Sequence, residues 1–220
     1  MEPNFIKKIS YLLYCYLEGS ASEKDRQYFH LYTRIKKCAL CSSLVQSRNT
    51  VVTGQGPVPC EVMVIGEGPG YHEDRQGIPF VGPAGHLLSK MLASINLDRK
   101  NVYITNIIKC RPPQNRDPQD DEIKNCLPFL EEQIDLISPK IILTLGKFAI
   151  QTLIHSRQGI THLRGKEYTY HTVPVIPTFH PAALLRNDSL KKETWQDLQM
   201  FGKKYQALST GYTFIKKRTK

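Results

Sequence analysis

No run of 18 apolar residues occurs in this 220-residue chain, so no segment has the length and hydropathy to cross a bilayer as a helix. Cysteine is scarce, with six residues at positions 15, 38, 41, 60, 110 and 126, too thin a distribution for a disulfide scaffold. Acids are outnumbered, 20 Asp and Glu against 30 Lys and Arg, and the net charge of +10 points to a polyanionic partner. Charge alone leaves DNA, RNA and a membrane surface open. No internal repeat or low-complexity tract interrupts the chain. Neither the dinucleotide fingerprint G-x-G-x-x-G nor the lysine of a Walker loop is found, which argues against a phosphate cradle.

What is present reads as one α/β domain with a helical N-terminal segment and a basic tail. Lys7-Lys8 ahead of an apolar stretch imitates a signal peptide, but Ile6, Ile9, Leu13, Tyr16 and Leu17 recur at helical spacing. That spacing predicts an amphipathic helix over 3–17. A second helix is expected over 22–36, and 42–60 is irregular. Four apolar strands follow at 61–66, 101–107, 140–146 and 173–179. Helical patterns at 83–96, 119–137 and 147–155 alternate with the first three, which predicts a central parallel four-stranded sheet flanked by helices. Residues 160–170 read as a turn or hairpin, and 189–208 as a last helix. The expected divisions are 1–37, 38–210 and 211–220.

In parallel sheets, ligands gather beyond the carboxyl ends of the strands, and the unusual residues of this chain lie there. The first strand runs into "VIGEGPGYHEDRQGIPFVGPAG", with six glycines and three acids between Val64 and Gly85. Its glycines fall at 66, 68 and 70 with Pro69 between, and Glu67, Glu73 and Asp74 would repel phosphate. Such a loop suits backbone passing close to a flat, uncharged ligand. The second strand ends at Asn106, and the fourth runs into "FHPAALLR".

"GEGPGYHED", "GIPFVGPAGHLL", "TNIIKCRPP" and "FHPAALLR", taken in order with Cys38, Cys41, Cys110 and Cys126, closely resemble the motifs of the family-4, iron–sulfur uracil-DNA glycosylases. The likeness runs from about Cys38 to Arg186. It implies a uracil-DNA glycosylase fold, excision of uracil from DNA to leave an abasic site, and a role for each matching residue. Phe80 is implied as the platform on which flipped uracil stacks. Asn106 is implied as the reader, donating to O4 and accepting from N3–H, a pattern that cytosine inverts. His180 is implied as the catalytic donor to the charge gathering on O2, an effect worth about 10²–10³ in rate. Leu184, four residues on, is implied as the wedge that fills the gap in the stack, and Arg186 as a phosphate contact.

Glu67 and Gly68 stand where family-1 enzymes carry Gln and a water-activating Asp, so that carboxylate is missing here. Either Glu67 or Glu73 positions the water, or a dissociative cleavage needs little base. Gly70 replaces the tyrosine that excludes thymine, and the resemblance passes that steric duty to Glu73.

Cys38–Cys41 and Cys110–Cys126 have metal-binding spacings, C-x2-C and C-x15-C, that zinc and iron–sulfur share. The resemblance implies a [4Fe–4S] cluster that ties the N-terminal helices to the excursion after the second strand. Cys15 and Cys60 are expected to be spare buried thiols. The expected protein is a monomer in a reducing cytoplasm, acting on uracil-containing DNA and on no membrane. The alternative is a metal-stabilised DNA-binding module without chemistry, which would need no trio of Phe80, Asn106 and His180.

Overall fold

The computed structural model describes residues 22–214. The expected helix over 3–17, Cys15 and residues 215–220 of the basic tail lie outside them.

In chain order the elements are α1 (Glu23–Lys36), α2 (Ser42–Ser47), β1 (Val62–Gly66), α3 (Tyr71–Gln76), α4 (Pro83–Ser94), β2 (Tyr103–Asn106), α5 (Asp120–Ile137), β3 (Ile141–Leu145), α6 (Lys147–Ile154), α7 (Ile160–Leu163), β4 (Tyr168–Tyr170), β5 (Val173–Thr178), α8 (Pro181–Arg186) and α9 (Lys191–Leu208). One sheet has the order β2-β1-β3-β5-β4. Four strands run parallel, and β4 pairs antiparallel with β5 at the edge. The sheet therefore has five strands and not the expected four. The fifth comes from the turn-like stretch before β5: it is three residues long, half exposed, and lacks the apolar run that marks its neighbours.

β1 and β3 are buried on both faces, which is why they read as continuous apolar runs. Alternate residues still go to opposite sides. Met63 and Ile65 join a core with Leu130, Ile134 and Ile137 of α5 and Ile150 of α6. Val62 and Val64 join the other core, with Leu88 and Leu92 of α4 and Leu198 and Phe201 of α9.

Helix α1 begins at Ser22, whose side chain accepts from the Asp25 amide, and has acids in its first turn and Arg34 and Lys36 in its last, matching the helix dipole. It docks through Tyr28, Leu31 and Ile35, and Arg34 meets Glu132 of α5 at 2.7 Å. Direct packing thus holds this helix to the domain, whatever a metal adds.

The connections from β1 lead one way to β2, and those from β3 the other way to β5. The sheet's switch point therefore lies between β1 and β3, opening a crevice at their carboxyl ends. At the end of β5, buried Asp197 accepts from Thr178 at 2.8 Å and pairs with Arg164 at 2.6 Å. This ties strand, α7 turn and last helix together two residues before His180.

Candidate active site

A cavity of about 380 Å³ opens at the carboxyl ends of β1, β2 and β5. Its wall includes Glu67, Gly68, Glu73, Phe80, Asn106, His180 and Arg186, so residues far apart in the chain share one slot.

Asn106 ends β2 and is 1% exposed. Its Oδ1 is buried without a hydrogen-bond partner, the state of an acceptor built for an incoming donor. The strand ladder continues past it, Ile107 donating to the Gly66 carbonyl and Ile108 to that of Glu67, so the glycine loop and the asparagine are held side by side. Gly66 permits the close approach: a Cβ there would lie 2.4 Å from the Phe80 ring and 2.5 Å from Asn106 Oδ1.

Phe80 has a left-handed backbone, φ 53°, unusual for a residue with a side chain. Arg99 holds it there, donating to the carbonyls of Phe80 at 2.9 Å and Pro79 at 2.7 Å. The ring packs in the core with Leu88 and Leu184 and also lines the cavity. The sequence carried no signal for Arg99, which lies 19 residues from its partner.

His180 faces Phe80 across the slot. Its Nδ1 accepts from the Ala182 amide at 3.2 Å, so in the neutral ring the proton sits on Nε2. Burial, and then the Arg186 charge, lower its pKa to about 4 against a weaker opposing pull from Glu73. The imidazole is therefore a neutral donor at physiological pH. Gly146, with φ 87°, has room for only a hydrogen beside it: a Cβ would come 3.1 Å from that of His180.

The two candidate carboxylates have parted. Glu73 accepts from the amides of Gly70 at 3.2 Å, Val81 at 2.9 Å and Gly82 at 2.8 Å, so both its oxygens are occupied in clasping the loop. Glu67 is raised to about 7, by burial first and Asp117 second, with Lys147 and Arg186 pulling it down. A carboxyl poised near neutrality beside the slot can hold and orient water.

Leu184 requires a correction. It is 2% exposed and belongs to the core cluster that includes Phe80, so it presents no free surface to a base stack. Its neighbour Leu185 is 53% exposed and carries the free apolar surface of α8. Successive side chains on a helix point about 100° apart, so Leu184 and Leu185 face different surroundings. Arg186 is exposed at the rim of the cavity. The far wall, Pro112 to Pro118, belongs to the excursion after β2 and escaped the sequence reading, although Asn115, Arg116 and Asp117 all line the cavity.

The four cysteines lie together. The thiol of Cys110 feels those of Cys38 and Cys41, and Cys126 feels Cys110 and Cys41. Among the described residues no three His, Cys, Asp or Glu side chains close around a single ion. A cubane, whose cysteines sit on separate irons, asks for a wider ring. Donors surround the sulfurs: Arg48 Nη1 lies 2.9 Å from Cys110 Sγ and Asn125 Nδ2 3.5 Å from Cys41 Sγ. Burial raises the Cys41 and Cys110 thiols and takes Cys126 to about 11, so a metal would have to displace their protons. Such a donor set fits a thiolate-bound cluster. Asp74 links this region to the slot, its carboxylate accepting from the amides of Asn49 and Thr50, just after Arg48. Cys60 is buried against the Val62 carbonyl.

The uracil DNA glycosylase superfamily model matches residues 53–199. The chain is 47% identical to a type-4 uracil-DNA glycosylase of Sulfurisphaera tokodaii over 74% of its own length and 77% of that relative's. With the type-4 enzyme of Thermotoga maritima it shares 42% over 76% and 88%, and with a type-5 enzyme of Pyrobaculum aerophilum 29% over 71% and 83%. The chain belongs to the uracil DNA glycosylase superfamily, in its type-4 branch.

Proposed function

We propose that this chain excises uracil from DNA by hydrolysing the N-glycosidic bond, leaving an abasic site for base excision repair. The observation that carries the reading is the orphaned Oδ1 of Asn106, buried at the wall of the cavity that Phe80 and His180 also line. N3–H of a flipped uracil is a donor of the right kind to satisfy it. Phe80 stacks the base. Neutral His180 directs Nε2–H at O2, where charge gathers as the bond breaks, and being neutral it needs no proton from solvent. Glu67 orients the attacking water once ionised. Glu73 shapes the loop around Gly70, where thymine's methyl group would press. Leu185 fills the place that uracil leaves, and Arg186 meets a phosphate.

Cys38, Cys41, Cys110 and Cys126 would hold a [4Fe–4S] cluster. The cluster would supply a cross-link between the α1–α2 turn, the excursion after β2 and α5, since hydrolysis needs no electron transfer. Four cysteines whose sulfurs meet the Arg48 and Asn125 donors support this reading. The deciding assay is alkaline strand scission of matched oligonucleotides carrying U, T or C. Cleavage at uracil alone is expected, and none at any base would leave the binding-module reading in its place.

A further inference from the structure

Behind the uracil slot lies a lysine that the proposed chemistry does not use. Lys109 is 1% exposed, and its ammonium meets three acceptors: Thr105 Oγ1 at 2.9 Å, the Asn106 carbonyl at 2.7 Å and Gln133 Oε1 at 2.6 Å. All three ammonium protons are engaged. Gln133 is itself fixed, its Nε2 donating to the Thr53 carbonyl at 2.6 Å and to Tyr103 Oη at 3.1 Å. These acceptors are all neutral. Cys110 and Cys126 lie close by, and the backbone of Lys109 hydrogen-bonds the Cys126 thiol.

An apolar side chain would fill this volume at a smaller desolvation cost. What lysine adds is a three-way tie, one arm of which ends on the residue that faces uracil. We infer that Lys109 is a positioning residue: it clamps the backbone of Asn106 from behind so that the side-chain amide meets uracil preorganised. The inference rests on Asn106 as the uracil reader.

Lys109→Met removes the tie and keeps the bulk. Single-turnover excision is expected to fall about tenfold or more, and amide hydrogen exchange across residues 103–108 to quicken. In the Asn106→Ala background the loss should disappear, the double variant running within about threefold of Asn106→Ala alone. Multiplying losses would overturn the inference, as would a Lys109→Met enzyme within about twofold of its parent and with unchanged exchange. If that variant does not fold, Gln133→Leu keeps the ammonium and removes one acceptor. It should show the same non-additivity at smaller size, and additivity there is equally fatal. A parent enzyme that releases no uracil refutes the glycosylase reading instead, and the exchange measurement then decides the clamp by itself.

Discussion

The rings of Phe80 and His180 stand 5.6 Å apart with their planes inclined by 32°, although 100 positions separate them in the chain. One is held by Arg99 in a left-handed turn, the other by Gly146 and the Ala182 amide. Each has its own anchor, so both rings already line the cavity before any base arrives.

The catalytic role of His180 predicts that His180→Ala slows uracil release by about 10²–10³. The variant should fold, since removing a buried neutral ring leaves no unpaired charge. Single-turnover excision with circular dichroism as a control tests this, and an unchanged rate would take His180 out of the mechanism.

Glu67 predicts the pH profile. With a pKa near 7 its ionised form grows as pH rises, so excision should climb through about pH 7 and level off above. His180, near 4, should add no limb between pH 5 and 9. Glu67→Gln should flatten the climb and lower the plateau. The same residue predicts stability. Its folded pKa lies above the unfolded value, so its contribution is complete below about pH 4.5 and is lost as pH rises through 7. Glu67→Gln should therefore raise Tm at pH 8 and leave it unchanged at pH 4.5. A Tm gain equal at both pH values would contradict the assignment.

The two leucines of α8 should separate cleanly. Leu184→Ala opens a core cavity and is expected to cost about 2–5 kcal/mol of stability. Leu185→Ala should stay within about 0.5 kcal/mol of the parent in denaturant unfolding, while excision from duplex DNA drops more than excision from single strands. The reverse pattern would return the wedge to Leu184.

The cysteine cluster predicts a brown protein when purified anaerobically, with broad absorbance at about 400 nm. Cys110→Ser or Cys126→Ser should bleach it and lower Tm. A colourless protein with one equivalent of zinc would refute the iron–sulfur assignment.

The net charge predicts that DNA binding weakens steeply with salt, as lysines and arginines release counterions from phosphates. Fluorescence anisotropy across a salt series measures the slope, and a flat profile would remove the basic face from recognition.

Much of this was legible in one dimension. β1, β2, β3 and β5 declare themselves through short apolar runs, and α4 and α5 through helical spacing, because burial on a regular element imposes its period on the chain. The glycine loop is equally plain: Gly66 must admit a ring and an amide within contact distance, and a side chain there would clash. β4 left no such mark, being a half-exposed edge strand held by its partner's hydrogen bonds.

The sequence alone therefore determined which residues border the carboxyl ends of the strands, and its acidic, lysine-free loop argued against a phosphate site there. Only the tertiary structure decided that Leu184 is buried and Leu185 exposed, that Glu73 clasps the loop while Glu67 stays free, and that Lys109 reaches Asn106. The physical reason is the same in each case. Periodicity is written by local geometry, whereas the rotation of a short helix, the partner of a carboxylate and the surroundings of an ammonium are set by elements that meet only when the chain has closed around its two cores.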